Sequence, residues 1–290
     1  MSWFNPQPYF TSEVSSNHYQ DINRCFEFID VSSEIGCAAV KFQLFKAREL
    51  FSPEVFRARP EVKEREKWEL PVSFLPDLSA RCKEKNIHFS MTPFYLKAVE
   101  ELEPYVDFYK VASYELLWHD LLKECAATGK PLVISTGMAE MDEIKAAVDV
   151  IMEAGCQELL VLHCTSAYPT PPEECNLAAI KTLRDALGCD IGWSDHSRTP
   201  GVIHRAIDHW GAKFVEFHLD LDGQGAEYKT GHCWLPDEIG AVIKSTSLGL
   251  NADGDGHKAP VASELPDRVW RADPTDGLRP LKSIRNNLSD

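Results

Sequence analysis

Two histidines each close a short apolar run: Ile191-Gly192-Trp193-Ser194-Asp195-His196 and Lys213-Phe214-Val215-Glu216-Phe217-His218. A helical segment separates the runs, so together they read as a βαβ unit that delivers both imidazoles to one rim. Neutral imidazole is a common ligand for divalent metals, and two on neighbouring strand ends could share one ion. A single histidine in such a place also caps a strand or packs in a core, so the argument turns on whether the pattern repeats. It does. Other apolar runs end in Glu13, in Lys41 and Gln43, in Thr92, in Lys110, Ser113 and Glu115, in Ser135 and Thr136, and in His163, Thr165 and Ser166. Lysines among hydroxyls suit a phosphate or a carboxylate, because they combine charge with short donors. A carboxylate beside them could move a proton. Polar caps occur at strand ends in any barrel, so the weight rests on the combination.

The elements that must position these groups are eight strand-like runs at residues 9–14, 38–43, 87–92, 107–112, 131–135, 159–164, 190–193 and 213–218, with helical patterns between them. Ile22, Phe26, Ile29 and Ile35 recur at helical spacing, and so do Ile144, Ala147, Val148, Ile151 and Met152 behind the acids of Met141-Asp142-Glu143. Gly36, Gly129, Gly155, Gly188 and Gly211 stand where helices must stop before the next strand. Eight β–α repeats over about 250 residues predict a parallel eight-stranded (β/α)₈ barrel, with chemistry at the carboxyl ends of the strands. A doubly wound open sheet is the alternative, but no Gly-rich dinucleotide turn follows the first strand. Residues 1–250 are assigned to the barrel and 251–290 to an extended tail. A long charged excursion at residues 44–68 is expected either to shape the site or a subunit contact, or to be a solvated helix laced with ion pairs.

Composition excludes several classes. The formal net charge of -15 offers no basic run for nucleic acid. No apolar segment approaches the roughly 20 residues of a membrane span, and the first residues do not form a signal peptide. Nine cysteines without a C-x-x-C pair read as reduced structural thiols in a cytoplasmic protein.

In order along the chain come Ser12-Glu13-Val14 with Asn17-His18, Ala39-Val40-Lys41-Phe42-Gln43, Thr92-Pro93-Phe94, Lys110-Val111-Ala112-Ser113 with Glu115, and Thr128-Gly129-Lys130-Pro131. Then follow Ser135-Thr136-Gly137-Met138, residues 162–169, Asn176-Leu177, Ser194-Asp195-His196 and Glu216-Phe217-His218. Over roughly residues 10–240 this series resembles the sialic acid synthase family, which comprises N-acetylneuraminate synthase and its legionaminate, pseudaminate and spore-coat relatives. The resemblance implies a metal-dependent condensation of phosphoenolpyruvate with an N-acyl amino sugar such as N-acetylmannosamine. It implies that His196 and His218 hold the ion, with Mn2+ expected and Mg2+ or Co2+ as alternatives. By the same resemblance Lys41, Thr92, Lys110, Ser113, Ser135, Asn176 and Ser194 contact phosphoenolpyruvate. Glu115, Lys110, His196 and His218 are the catalytic set, and Glu13, Gln43, Tyr168 and Glu227 face the sugar.

The chain departs from the family pattern at several points. Ser15-Ser16-Asn17-His18-Tyr19-Gln20 stands where Gly-x-Asn-His-Asn-Gly is usual, and Tyr95 stands where an Asp usually follows Thr-Pro-Phe. Gly225-Ala226-Glu227-Tyr228 replaces Gly-Pro-Asp-His, which puts Glu227 in the place of a sugar-contacting Asp. No antifreeze-like domain follows the barrel, so a homodimer or a separate partner completing the sugar half is expected. Two other readings stay open: an aldolase or another 3-deoxy-sugar-acid synthase, which would show more arginines at the mouth, and a non-catalytic sugar-binding barrel.

Overall fold

The structure, a computed structural model, describes residues 3–5 and 8–288. Eight parallel strands close into a barrel: β1 (Tyr9–Glu13), β2 (Ala39–Leu44), β3 (His88–Pro93), β4 (Phe108–Val111), β5 (Leu132–Ser135), β6 (Leu159–Cys164), β7 (Asp190–Asp195) and β8 (Phe214–His218). Each strand pairs with its neighbours in sequence, and β8 returns to β1, which rules out the open sheet. β7 runs two residues beyond the predicted 190–193, and so Ser194 and Asp195 belong to the strand.

Alternation along each strand sorts the side chains. One set (Phe10, Val40, Tyr109, Ile134, Val161, Ile191 and Val215) joins the large apolar core shared with the helices. The other set points into the barrel, where Tyr9, Ala39, Phe108, Val133, Leu160, Leu162 and Phe214 pack with Phe4 as an apolar floor. Two residues further along the same inward face come Thr11, Lys41, Lys110, Ser135, Cys164, Ser194 and Glu216. Two further still come Glu13 beside Gln43 and His218. The barrel interior therefore changes from aromatic to charged over one strand length.

The helices hold this arrangement from outside. Asp21 caps the helix Ile22–Glu34 by accepting the Asn23 amide at 2.9 Å, and Cys25, Phe28 and Ile29 are buried along its inner stripe. Glu140 and Glu143 form a capping box on Met141–Glu153, which buries Ile144, Ala147, Val148 and Ile151. Met152, predicted on that stripe, is exposed. The five predicted helix-ending glycines all have positive φ, from 67° to 93°.

The 44–68 excursion folds into helices Ala47–Leu50 and Pro53–Ala58 and a 3₁₀ segment Pro60–Trp68. It lines the site on one side and carries ion pairs on the other. Arg48–Glu66 and Arg59–Glu61 pair on its exposed side, while Phe51, Arg65 and Trp68 face the barrel mouth.

Residues 248–290 form a second compact unit, whose boundary falls three residues before the one predicted. Its described part is built of turns rather than extended chain: Ala262–Glu264, Arg268–Trp270 and Lys282–Arg285. The reason is local. Buried Asp273 accepts hydrogen bonds from Thr275 N (3.0 Å) and Lys282 N (2.7 Å) and folds the segment back on itself.

Gly192 on β7 shows how closely the interior is packed. A Cβ there would sit 2.5 Å from both the Leu162 side chain and the Phe214 carbonyl oxygen, and the carbonyl belongs to the sheet and cannot swing away. Gly192→Ala is expected to destabilise the fold by about 1–3 kcal/mol. Urea unfolding measures this, and an unchanged midpoint would contradict the close β6–β7–β8 spacing.

Candidate active site

The carboxyl ends of the strands open on a cavity of about 630 Å³. Strand register decides which groups meet there. Glu13 lies opposite Lys41 on one side and His218 on the other, and Ser194 lies opposite Glu216. At the base, the buried Lys41 ammonium pairs with Glu13 and lies 3.7 Å from Glu216, while Lys110 approaches Glu216 at 3.5 Å. Thr92 accepts a hydrogen bond from Lys41 at 3.2 Å. Burial lowers the Lys41 pKa to about 7, against the pull of Glu216. Burial alone would raise the Glu216 carboxyl, yet Lys110 and Lys41 hold it below the usual carboxylate range.

Beside the lysines, Ser113 and Ser135 line the wall. The Gly137 amide donates to Ser113 Oγ at 2.9 Å, and the Ser113 side chain also hydrogen-bonds the Cys164 thiol. Ser135 Oγ and Glu115 Oε2 are buried without a hydrogen-bond partner. Burial raises the Glu115 carboxyl to about 7, although nearby Lys110 opposes the shift. Such a group exchanges a proton readily at neutral pH.

The opposite wall carries imidazoles. The rings of His196 and His218 are 5.2 Å apart, and His232 is 4.8 Å from His218. Tyr168 stacks against His196 at 4.2 Å. His196 Nδ1 meets the Thr165 carbonyl at 2.9 Å. A carbonyl only accepts, so Nδ1 carries the proton and the lone pair sits on Nε2, as a metal-binding histidine requires. Burial pushes His218 down to about 4, which keeps it neutral despite Glu227 at 3.2 Å. Glu227 accepts from Ser15 Oγ (2.7 Å) and Ser16 N (3.2 Å). Imidazoles beside the Glu227 carboxylate, which despite burial the His218 and His232 hydrogen bonds hold below the usual carboxylate range, are a donor set that fits a divalent cation.

Most of the residues selected from sequence meet here. Lys41, Lys110, Ser113, Glu115, Ser135, Ser194, His196 and His218 line the cavity, together with Glu13, Gln43, Tyr168 and Glu227. Glu13 gives one carboxylate oxygen to Lys41 and the other to the Ser15 amide (2.6 Å), so it braces the lysine as well as facing the cavity. Thr92 lies beneath Lys41. Asn176 is the exception: it is exposed, at φ 42°, and lines a separate shallower pocket with Leu177, Thr199 and Trp210. The turn Pro172–Glu174 and the start of the helix Ala179–Leu187 carry it away from the mouth. Sequence reasoning counted Glu216 among the strand-end carboxylates that converge on the mouth without giving it a ligand, and it assigned no role to His232, Ser15, Ser16, Arg65 or Trp68. Glu216 was visible as an inward residue two before His218. His232 had no such signal, because an isolated bridge between Leu219 and Trp234 brings it back to the rim.

A family model described as the NeuB family matches residues 28–258. The chain belongs to this family. The N,N'-diacetyllegionaminic acid synthase of Campylobacter jejuni is 33% identical over 268 residues, covering 87% of this chain and 79% of that one. The crystal structure of N-acetylneuraminic acid synthetase from Leptospira borgpetersenii, in complex with citrate, superposes with a TM-score of 0.79 at 29% identity and covers 91% of this chain and 90% of that one. The spore coat polysaccharide biosynthesis protein SpsE of Bacillus subtilis gives 0.75 at 28% identity, with coverage of 92% and 78%. This NeuB-family chain is thus an enzyme of the sialic acid synthase type.

In this NeuB-family barrel, Asp195 ties the rim together. Its carboxylate accepts from the indoles of Trp193 (3.1 Å) and Trp234 (3.0 Å), from the Ser197 hydroxyl (2.7 Å) and from the Arg198 amide (3.2 Å). Asp195→Ala would strand two buried indole donors and is expected to cost about 3–5 kcal/mol. Thermal unfolding checks this, and a loss below about 1 kcal/mol would show that the network is not required.

Proposed function

We propose that the chain condenses phosphoenolpyruvate with the open-chain aldehyde of an N-acyl amino sugar, yielding a nonulosonic acid and phosphate in a divalent-metal-dependent reaction. The observation that carries this reading is the division of one cavity into two halves. One half holds two lysines, hydroxyls and a carboxyl poised near neutrality, and the other holds the imidazole cluster with Glu227. Phosphoenolpyruvate presents a phosphate and a carboxylate to the first half, where Lys41, Lys110, Ser113, Ser135 and Ser194 offer charge and donors. A cation held by His196 and His218, with manganese expected, would supply Lewis-acid polarisation of the aldehyde oxygen.

The bond forms between the enol carbon of phosphoenolpyruvate and the aldehyde carbon, whose oxygen takes a proton. Water adds to the neighbouring cationic carbon and gives up a proton, for which Glu115 in its carboxylate form is the acceptor. The hydroxyl added by that water then passes its proton to the departing phosphate as the carbon–oxygen bond breaks and the keto group forms, and Lys41 and Lys110 neutralise the departing charge. Gln43, Tyr168 and Glu227 face the sugar. Phe45, Phe51, Phe94 and Trp68 add an apolar wall that suits acyl or deoxy groups.

Among the described residues no helix is long and apolar enough to cross a membrane. The nine free cysteines support a reducing, cytoplasmic setting.

Phosphate release from phosphoenolpyruvate with Mn2+, measured across N-acetylmannosamine and related amino sugars, tests the reaction. Release should require an acceptor and fall about 100-fold or more in His218→Ala. Failure of the wild type to bind phosphoenolpyruvate would sink the proposal.

Glu115 makes a separate pH prediction. As a proton acceptor it must be ionised, so kcat/KM should rise with pH through about 7. Glu115→Gln should lose that limb and about 10²–10⁴-fold in rate. Its folded pKa lies above the unfolded value, so its contribution to stability is full at acid pH and is lost as pH rises through about 7. The Gln variant should therefore unfold at a higher temperature than wild type at pH 8, with the advantage shrinking toward pH 5. An unchanged pH–rate profile would remove Glu115 from the mechanism.

A further inference from the structure

His232 stands outside the eight β–α repeats, yet it reaches the same wall as His218. It lies on the returning segment, where Trp234 N donates to the His218 carbonyl at 2.8 Å and the Trp234 carbonyl accepts from Asp220 N at 2.9 Å. The ring is buried.

Its tautomer follows from its neighbours. The Thr230 hydroxyl gives its single proton to the Glu227 carbonyl at 2.6 Å. The 2.8 Å contact between Thr230 Oγ1 and His232 Nδ1 must then run the other way, with Nδ1–H donating. The neutral ring consequently turns its Nε2 lone pair toward Glu227 Oε2, 3.7 Å away. Two acceptors facing each other in a buried place repel unless something positive lies between them. Either a proton on His232 or a metal ion would satisfy them.

Spacing favours the ion. Ligand atoms of His218, Glu227, His232 and Cys233 all lie within 4.8 Å of one another; the His196 ring, 5.2 Å from that of His218 and 6.4 Å from that of His232, borders this group from outside. Within that group the His218–Glu227 and His232–Glu227 separations are 3.2 and 3.7 Å. Ligands bonded to one ion at about 2.1 Å stand about 3–3.6 Å apart. The 3.2 Å contact, which is a hydrogen bond through His218 Nδ1, lies within that range, and the 3.7 Å separation lies just beyond it. The Thr230 contact is the kind of outer hydrogen bond that orients a ligating imidazole.

We propose that His232 and Glu227 are ligands of the same cation as His196 and His218, so the chain offers three imidazoles and a carboxylate where a histidine pair was expected. The inference rests on the metal-dependent reading above. A nitrogen-rich set of this kind favours Co2+, Zn2+ or Fe2+ over Mg2+, which prefers oxygen and retains its waters.

Titration of the metal-free full chain with Co2+, followed by visible absorption and by proton NMR, tests it. Each ligating imidazole keeps one N–H, which appears as a far-shifted, solvent-exchangeable signal. Wild type should bind one Co2+ and show three such signals. His232→Asn should lose one signal and bind at least tenfold more weakly. Glu227→Gln, which retains an acceptor for Ser15 and Ser16, should weaken binding and alter the visible bands while keeping all three signals. If His232→Asn does not fold, the wild-type signal count alone decides, three against two. Two signals in wild type, or unchanged affinity and signals in a folded His232→Asn, would overturn the inference and leave the metal reading standing. No Co2+ binding by wild type would fail the metal reading and this inference with it.

Discussion

Four charges buried at the middle of the barrel set the terms for everything around them. Lys41, Lys110, Glu13 and Glu216 are nearly inaccessible to water, and each would cost roughly several kcal/mol to bury alone. They are tolerable together because Lys41 pairs with Glu13 and both lysines approach Glu216. The balance is incomplete by design of the donors: a second Glu216 oxygen and the Ser135 hydroxyl have no hydrogen-bond partner. The Ser135 hydroxyl can donate to a bound anion, whereas the Glu216 oxygen accepts and so calls for a donor.

The fold keeps that network in place through the strict alternation of the strands. A slip of one residue on β2 or β4 would send Lys41 or Lys110 into the apolar layer under the helices and an apolar neighbour into the site. The aromatic floor of Phe4, Tyr9, Phe108 and Phe214 closes the barrel below the charges. Water therefore reaches the lysines from the mouth alone, and the low-dielectric surroundings strengthen their hold on an anion.

The other half of the site is built differently. The facing wall draws on segments that follow no repeat: Ser15 and Ser16 after β1, the 44–68 excursion with Arg65 stacked on Phe51 and Trp68, and the returning segment with Glu227 and His232. Loops of this kind vary without disturbing the barrel. That separation lets the loops bearing Ser15 and Glu227 change without disturbing Lys41 and Lys110 on the strands.

The amino-acid sequence by itself determined the eight strands, their inward residues and the helices between them, because a period of two against a period near four is a local property that neighbouring residues report. It also placed Lys41, Lys110, Glu115 and Ser135 at strand ends, which in a closed barrel must converge. Only the tertiary structure decided what depends on distant segments meeting. Asn176 looked like a ligand-binding residue until its turn carried it to another pocket. Residues 251–290 looked extended until Asp273 folded the segment into turns. His232 carried no periodic signal, and its place beside His218 and Glu227 exists because the chain after β8 bridges back through Trp234. Strand periodicity encodes direction within one element, whereas a wall made of loops is encoded only by the contacts that close it.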